Sequence, residues 1–230
     1  RAPCGPAPPV GRPDSDPKIP MSLILAFDTS APHCAAALLD GETLVAERHE
    51  PMARGQAERL VPLLEELLTE AGRSWSDLAA LAVGVGPGNF TGIRISVALA
   101  RGLALGLKVP AVGVTGFEAL AHGRPRPLLA TLPAPREQLY GQVFTEGAAP
   151  GEAQLFAAEA LSAALPPEGC LLLGAAPGAE PAPQNPAPLI ARVAASRLGQ
   201  PGQQPQAPAP FYLRPADAAP PRDAPPRILP

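Results

Sequence analysis

The chain has 230 residues, a formal net charge of −3, and 46% hydrophobic but only 4% aromatic residues. That length suits one domain or two small ones, with a core built from Ala, Leu and Val. The charge supplies no basic field for gripping a phosphate backbone, so any RNA is expected to be held by a partner.

Of the 34 prolines, seven fall in residues 1–20 and fourteen in 181–230, so both ends are expected to be extended or irregular. Residues 1–20 read as a disordered Pro-rich extension without a signal-peptide core, and the folded pattern begins at Met21. Three strands come first, Leu23–Asp28, Cys34–Leu39 and Thr43–Glu50, with Asp40-Gly41 as a hairpin signal between the last two. A helix is predicted from Gln56 to Ala71, stopped by Gly72 and carrying Pro62 in its first turns. The apolar run Leu78–Val85 reads as a buried strand. Gly86-Pro87-Gly88-Asn89-Phe90-Thr91-Gly92 then makes a tight turn in which Asn89 or Thr91 caps a helix Thr91–Leu105. Strand Ala111–Val114 and a short helix Phe117–His122 follow. The second half is thinner: strands Leu128–Leu132, Leu139–Phe144 and Leu155–Phe156, a helix Ala157–Leu165, strand Leu171–Gly174, a loop Ala175–Pro188 and a helix Leu189–Leu198. The tail after Arg214 is Pro/Ala-rich and expected to be disordered. No internal repeat shows at residue level.

A strand, a glycine turn and a helix N-terminus together suggest an anion or partner-docking corner. No Gly-Lys-Ser/Thr follows, which excludes a Walker A loop, and no Gly-x-Ser-x-Gly offers a serine nucleophile. Cys4, Cys34 and Cys170 are odd in number and widely spaced, giving neither a metal pair nor a disulfide framework. Cys34 and Cys170 are expected as buried free thiols in a reducing cytoplasm. His33, His49 and His122 are dispersed without ligand spacing and are expected at surface or strand-edge positions.

Thr91–Leu105 is apolar nearly all round yet, at about 15 residues, too short for a membrane, and no other segment reaches about 18 uninterrupted apolar residues. Gly92 and Ser96, then Ala98, Gly102 and Gly106, recur four apart, a spacing that admits a second helix closely. Arg94 and Arg101 share a face. With the wide apolar arc of Gln56–Ala71, this predicts a partner surface of Gln56, Leu60, Leu63, Leu64, Leu67, Phe90, Thr91, Ile93, Arg94, Val97 and Arg101. A core helix buried within one subunit is the competing reading.

The string Gly86-Pro87-Gly88-Asn89-Phe90-Thr91-Gly92-Ile93-Arg94, the opening Leu23–Asp28 strand with Thr29-Ser30, and Phe211-Tyr212-Leu213-Arg214 together resemble the TsaB (YeaZ) family. That family is the non-catalytic partner subunit in tRNA threonylcarbamoyladenosine synthesis. The resemblance implies an α/β, two-lobed fold like actin, Hsp70 and the sugar kinases, ribonuclease-H-like and with a degraded active cleft. The lobes would be residues 21–122 and 123–214, with helix 189–198 packing back on the first, and 215–230 a disordered tail. It implies a scaffold and activator that joins a TsaD-like catalytic subunit through the two helices, works with a TsaE-like ATPase and meets tRNA only through the complex. No cofactor of its own is expected: ATP and threonylcarbamoyl-AMP are used by the complex, and a metal belongs to the catalytic partner. Asp28, Thr29 and Ser30 would be a vestigial phosphate loop. The opposite loop, Leu132-Pro133-Ala134-Pro135-Arg136, has lost its carboxylate and two backbone donors. The paralogue's two metal-ligand positions fall on Gly116 and Leu120. The protein is expected to be cytoplasmic, without a membrane. Two alternatives stand beside this reading: a free-standing kinase or metallopeptidase-like (glycopeptidase) enzyme of the same fold, and a homodimeric binding module.

Overall fold

β1 (Leu23–Asp28) is buried along its whole length, and its alternation sends side chains to opposite faces. Leu23, Leu25 and Phe27 join one apolar cluster, Ile24 and Ala26 another. Burial on both faces is why this strand carries no polar residue before Asp28. In a computed structural model of the chain, which describes residues 23–161, 169–200 and 207–214, β1 is the centre of a five-stranded sheet. β2 (His33–Asp40) and β3 (Thr43–Pro51) lie antiparallel on one side. β4 (Ala80–Gly84) and β5 (Ala111–Val114) lie parallel on the other, giving the order β3-β2-β1-β4-β5.

Two helices cover one face of this sheet. α1 (Gln56–Glu70) buries Leu60, Leu63, Leu64, Leu67 and Leu68 against it. It ends in a left-handed Gly72, with Arg73 N donating to Leu68 O at 2.9 Å. Arg59 on α1 donates to both oxygens of Glu50 on β3 (2.7 and 2.6 Å) and to Glu66 two turns on. These bonds hold both carboxyls below the usual carboxylate range. A carboxyl lowered in the folded state stabilises it above the unfolded pKa, near 4.3, and loses that contribution as pH falls through the lowered value. An Arg59→Gln variant is therefore expected to have a lower urea midpoint than the parent at pH 7, with the gap closing toward pH 3. Arg59 and Glu50 are only half-buried and Glu66 is exposed, so solvent screening keeps the gap small.

α2 (Phe90–Leu107) starts at Asn89, whose side chain accepts from Gly92 N at 2.9 Å. It buries Gly92, Ile93, Ser96, Val97 and Ala100, and ends at Lys108 in the left-handed region (φ 58). Lys108 pays a steric cost there that glycine does not. Lys108→Gly is expected to raise stability by up to about 1 kcal/mol, read as a higher denaturant midpoint. At 18 residues α2 is longer than its sequence pattern predicts. By length and mean hydropathy of 1.4 it reaches the range of a membrane span, but it carries Arg94 and Arg101 and lies on the sheet.

The opposite face is covered by α3 (Gly116–Ala121) and α4 (Ala187–Leu198). α3 works in two directions: Ala119 packs with the first sheet, whereas Phe117 and Ala121 join Leu128, Ala130, Tyr140, Phe144 and Leu173 of the second. That second sheet has β6 (Leu128–Pro133), β7 (Gln138–Phe144), β8 (Gln154–Ala157) and β9 (Leu171–Gly174) in the order β8-β7-β6-β9. β6 pairs antiparallel with β7 and parallel with β9, so the second sheet repeats the order and sense of β3-β2-β1-β4. The duplication is topological, with no trace at residue level.

α4 follows the second sheet in sequence but belongs to the first by packing. Ile190, Ala191 and Ala194 meet Ile24, Ala26, Ala35 and Ala37. Arg197 donates to Gly113 O at 2.7 Å and pairs with Glu118. Where the sequence predicts a helix Ala157–Leu165, β8 runs on to Ala157 and a 3-10 turn covers Ala158–Ala160. The rest of that stretch from residue 162 lies outside the described residues, as do the predicted extension 1–20 and tail 215–230.

Candidate functional site

Asp28 ends β1 and is 2% exposed. Its Oδ2 accepts from Ser30 N (3.1 Å), Ser30 Oγ (2.9 Å) and His33 Nε2 (2.8 Å). His33 Nδ1 in turn faces His49 Nε2 at 3.3 Å, so a carboxylate and two imidazoles form a chain from the end of β1 to β3. Burial, then the neighbouring His33, lowers the His49 pKa. His33 is buried, which corrects its expected surface or strand-edge position. The antiparallel pairing of β1 and β2 folds the chain back through residues 29–32 and lays the ring on Asp28. Spacing alone does not reveal this, because the contact depends on the register of that return.

The signature loop packs directly on this turn. Thr29 Oγ1 donates to Gly92 O at 2.6 Å and Asn89 N donates to Ser30 O at 2.7 Å. A Cβ on Gly92 would stand 1.9 Å from Thr29 O, one on Gly88 2.2 Å from Ser30 O, and one on Gly84 1.9 Å from Asp28 Oδ1. At Gly88 and Gly92 backbone meets backbone, and at Gly84 the backbone meets the Asp28 carboxylate, so no side chain fits. The expectation of an anion site at this corner is therefore corrected: carbonyls of Thr29 and Ser30 stand at the helix start, and the Asn89 side chain takes Gly92 N. From behind, Phe211 N donates to Val85 O at 2.8 Å and closes the corner with the C-terminal segment.

Between the lobes lies a cavity of about 260 Å³. Asp28, Ser30 and His33 form its polar end, and Leu120, Leu132, Leu189 and Ile190 are among its apolar walls. Gly116 and Leu120, the positions of the paralogue's expected metal ligands, line this cavity without a donor atom between them. The opposite loop closes on itself as a hairpin, with Ala134 N donating to Gln138 O at 2.9 Å, and Arg136 is exposed at its tip. Among the described residues no group of three or more His, Cys, Asp or Glu is placed to hold a metal. Nor is there an activated thiol in Cys34. It is fully buried, and burial, then Glu50, pushes its pKa up to about 11. At pH 8 only about one such thiol in a thousand is ionised. Alkylation of Cys34 is expected to be negligible in the folded protein and complete in urea, as mass spectrometry of the digested chain would show.

The predicted partner surface divides in two. Leu60, Leu63, Leu64, Leu67 and Ile93 are 0% exposed and Val97 3%. They face the sheet as core, which corrects their assignment to a surface. Thr91, Arg94 and Arg101 are exposed, and Gln56 and Phe90 half-buried. Absent from that predicted set is Leu105, 83% exposed on α2. Arg94, Ala98, Arg101, Gly102 and Leu105 are all exposed and share the side of α2 opposite Ile93, Val97 and Ala100. The signal was in the helical period: a stripe opposite the sheet-facing residues had to be the outer one. At its N-terminal end the Arg94 guanidinium sits 3.9 Å over the Phe90 ring, and Arg94 Nε donates to Tyr212 Oη at 3.1 Å. The Phe90 and Tyr212 rings are 4.8 Å apart.

Residues 49–167 match the family model described as TsaD: tRNA N6-adenosine threonylcarbamoyltransferase. The tRNA threonylcarbamoyladenosine biosynthesis protein TsaB of Escherichia coli is 42% identical over 100 residues, 44% of this chain and 43% of that protein. That match spans less than half of the relative's length. An uncharacterized protein of Mycobacterium tuberculosis is 33% identical over 211 residues, 88% of this chain and 97% of that protein. Among solved structures, YeaZ from Pseudomonas aeruginosa superposes with a TM-score of 0.57 at 31% identity, over 67% of this chain and 75% of that one. A second structure, described as similar to peptidase YeaZ from Pseudomonas aeruginosa, gives 0.68 at 25% identity, over 84% and 100%. Fold and cleft together define a two-lobed α/β protein of the actin and ribonuclease-H-like class. Within that class the chain belongs to the TsaB (YeaZ) family.

Proposed function

We propose that this chain is the non-catalytic subunit of a complex that transfers a threonylcarbamoyl group to the adenosine beside the anticodon of tRNA, in the cytoplasm. The carrying observation is the contrast between its two candidate surfaces. The cleft lacks side-chain donor atoms for a metal at Gly116 and Leu120, whereas α2 presents an exposed stripe of Ala98, Gly102 and Leu105, flanked by Arg94 and Arg101, with Leu105 at 83% exposure. A TsaD-like catalytic subunit is the partner of that stripe, Arg94 and Arg101 meet acidic groups across the interface, and a TsaE-like ATPase and the tRNA join the assembled pair. The names of the relatives and the TsaD family model support this reading. In the absence of the partner, the same stripe is where two copies of this chain would pair.

The test is Leu105→Asp. An interface leucine replaced by a carboxylate loses roughly 1.5–3 kcal/mol of burial and adds the desolvation of a charge. Association with the catalytic paralogue should weaken at least about a hundredfold, at 1.4 kcal/mol per decade, with circular dichroism unchanged. Parental affinity in Leu105→Asp, or tRNA modification by this chain alone, would overturn the proposal.

A further inference from the structure

The polar end of the cavity presents one acceptor to which no described residue donates. Asp28 Oδ2 has three donors, but Oδ1, set against Gly84, receives no hydrogen bond from the described residues. A carboxylate oxygen accepts up to two bonds, and Asp28 lines the cavity, so Oδ1 is open to a donor placed there. The cavity that adjoins it is mainly apolar, with Leu120, Leu132, Leu189 and Ile190 around it and Gln184 as one further polar side chain. No Lys or Arg is among the described residues lining it, and Pro133 has no N–H to give a phosphate. At about 260 Å³ the space lies below the 300–1,000 Å³ usual for drug-sized ligands.

We propose that this cavity binds a small, uncharged, mainly apolar molecule that donates one hydrogen bond to Asp28 Oδ1. Ser30 and His33 already occupy the carboxylate's other oxygen, so the remaining place suits an alcohol or amide N–H. It does not suit a magnesium-bound nucleotide, whose phosphates would find no cation and no backbone donor in Pro133. The apolar body of the ligand would lie between α3 and α4, across from the second sheet's Leu132. This inference concerns the cleft alone, and its failure leaves the proposed role of the α2 stripe untouched.

The experiment titrates benzyl alcohol into the full chain and follows the backbone amides by two-dimensional NMR, with toluene and magnesium–ADP in parallel. Saturable shifts are expected at Ser30, Gly116 and Ile190 with benzyl alcohol. Toluene, which has the same ring and no donor, should bind at least tenfold more weakly. Leu120→Trp and Leu189→Trp fill the cavity from opposite sides, and each should abolish the shifts. If one variant loses its fold, the other variant and the toluene ratio decide. Equal binding of toluene, shifts that persist in a folded tryptophan variant, tighter binding of magnesium–ADP, or no saturable shift at those amides would each overturn the proposal.

Discussion

Leu64→Asp is expected to abolish the folded state. Leu64 is 0% exposed and sits in the cluster that α1 shares with β1, β2 and β4. The substitution forfeits roughly 1.5–3 kcal/mol of apolar burial. It also places a carboxylate where the neighbouring Leu60, Leu67 and Phe27 offer no polar partner, at an effective cost of several kcal/mol more. The sum, at least about 5 kcal/mol, matches the whole net stability of an ordinary domain. Circular dichroism should show a chain without cooperative thermal unfolding. A folded Leu64→Asp protein with a normal melting curve would mean that α1 is not seated as described. The contrast with Leu105→Asp is informative, because the two leucines lie on helices that share one face of the sheet. One substitution removes the fold, the other only the partner.

Gly92→Ala should cost about 3 kcal/mol or more, at the upper end of what overpacking does. Its added methyl would stand 1.9 Å from Thr29 O, a backbone atom that cannot rotate away. Relief requires α2 to lift from the Asp28 turn, and that motion would break the 2.6 Å bond from Thr29 Oγ1 to Gly92 O. For a chain of this size 1 kcal/mol is worth about 2–4 °C in Tm, so melting should fall on the order of 10 °C. Gly102→Ala is the control, since a Cβ there meets nothing within 4 Å. It should leave Tm level or slightly higher through better helix propensity. Equal melting temperatures for the two variants would refute the close approach of loop and turn.

Much of the first lobe was legible because its signals are local. Leu23–Asp28 and Ala111–Val114 are apolar runs with abrupt ends, and both appear with the bounds that their composition suggests. α1 was readable from its leucine spacing and the glycine after it. The second half was harder because its elements are short and alanine-rich, so propensity does not separate strand from helix. Ala157 shows the difficulty: it ends β8 by pairing with Gln138, a choice made by the partner strand and not by the residue. The burial of His33 and the closed glycine corner were illegible for a different reason. Both depend on two segments meeting, β1 with β2 and the Asp28 turn with α2, and a single sequence carries no record of distance. The partner stripe lay between these cases. Apolar residues all round α2 conceal which side faces the sheet, so the pattern puts Ile93 and Val97 outward where the structure makes them core.

The position of α4 bears on how this protein can be made. Strands β1, β2 and β4 are complete long before Ile190 and Ala194 exist, yet those residues cover Ile24, Ala26, Ala35 and Ala37. At ordinary rates of synthesis the stretch between β5 and α4 takes roughly 4–15 s to emerge. Throughout that interval the nascent first sheet has an apolar face that only α3 covers in part, and its closing contacts are long-range. A ribosome-bound fragment ending before α4 should therefore recruit chaperones, and the first lobe expressed by itself should aggregate. Translation must pass Ala194 before the earliest strands can be sealed from water.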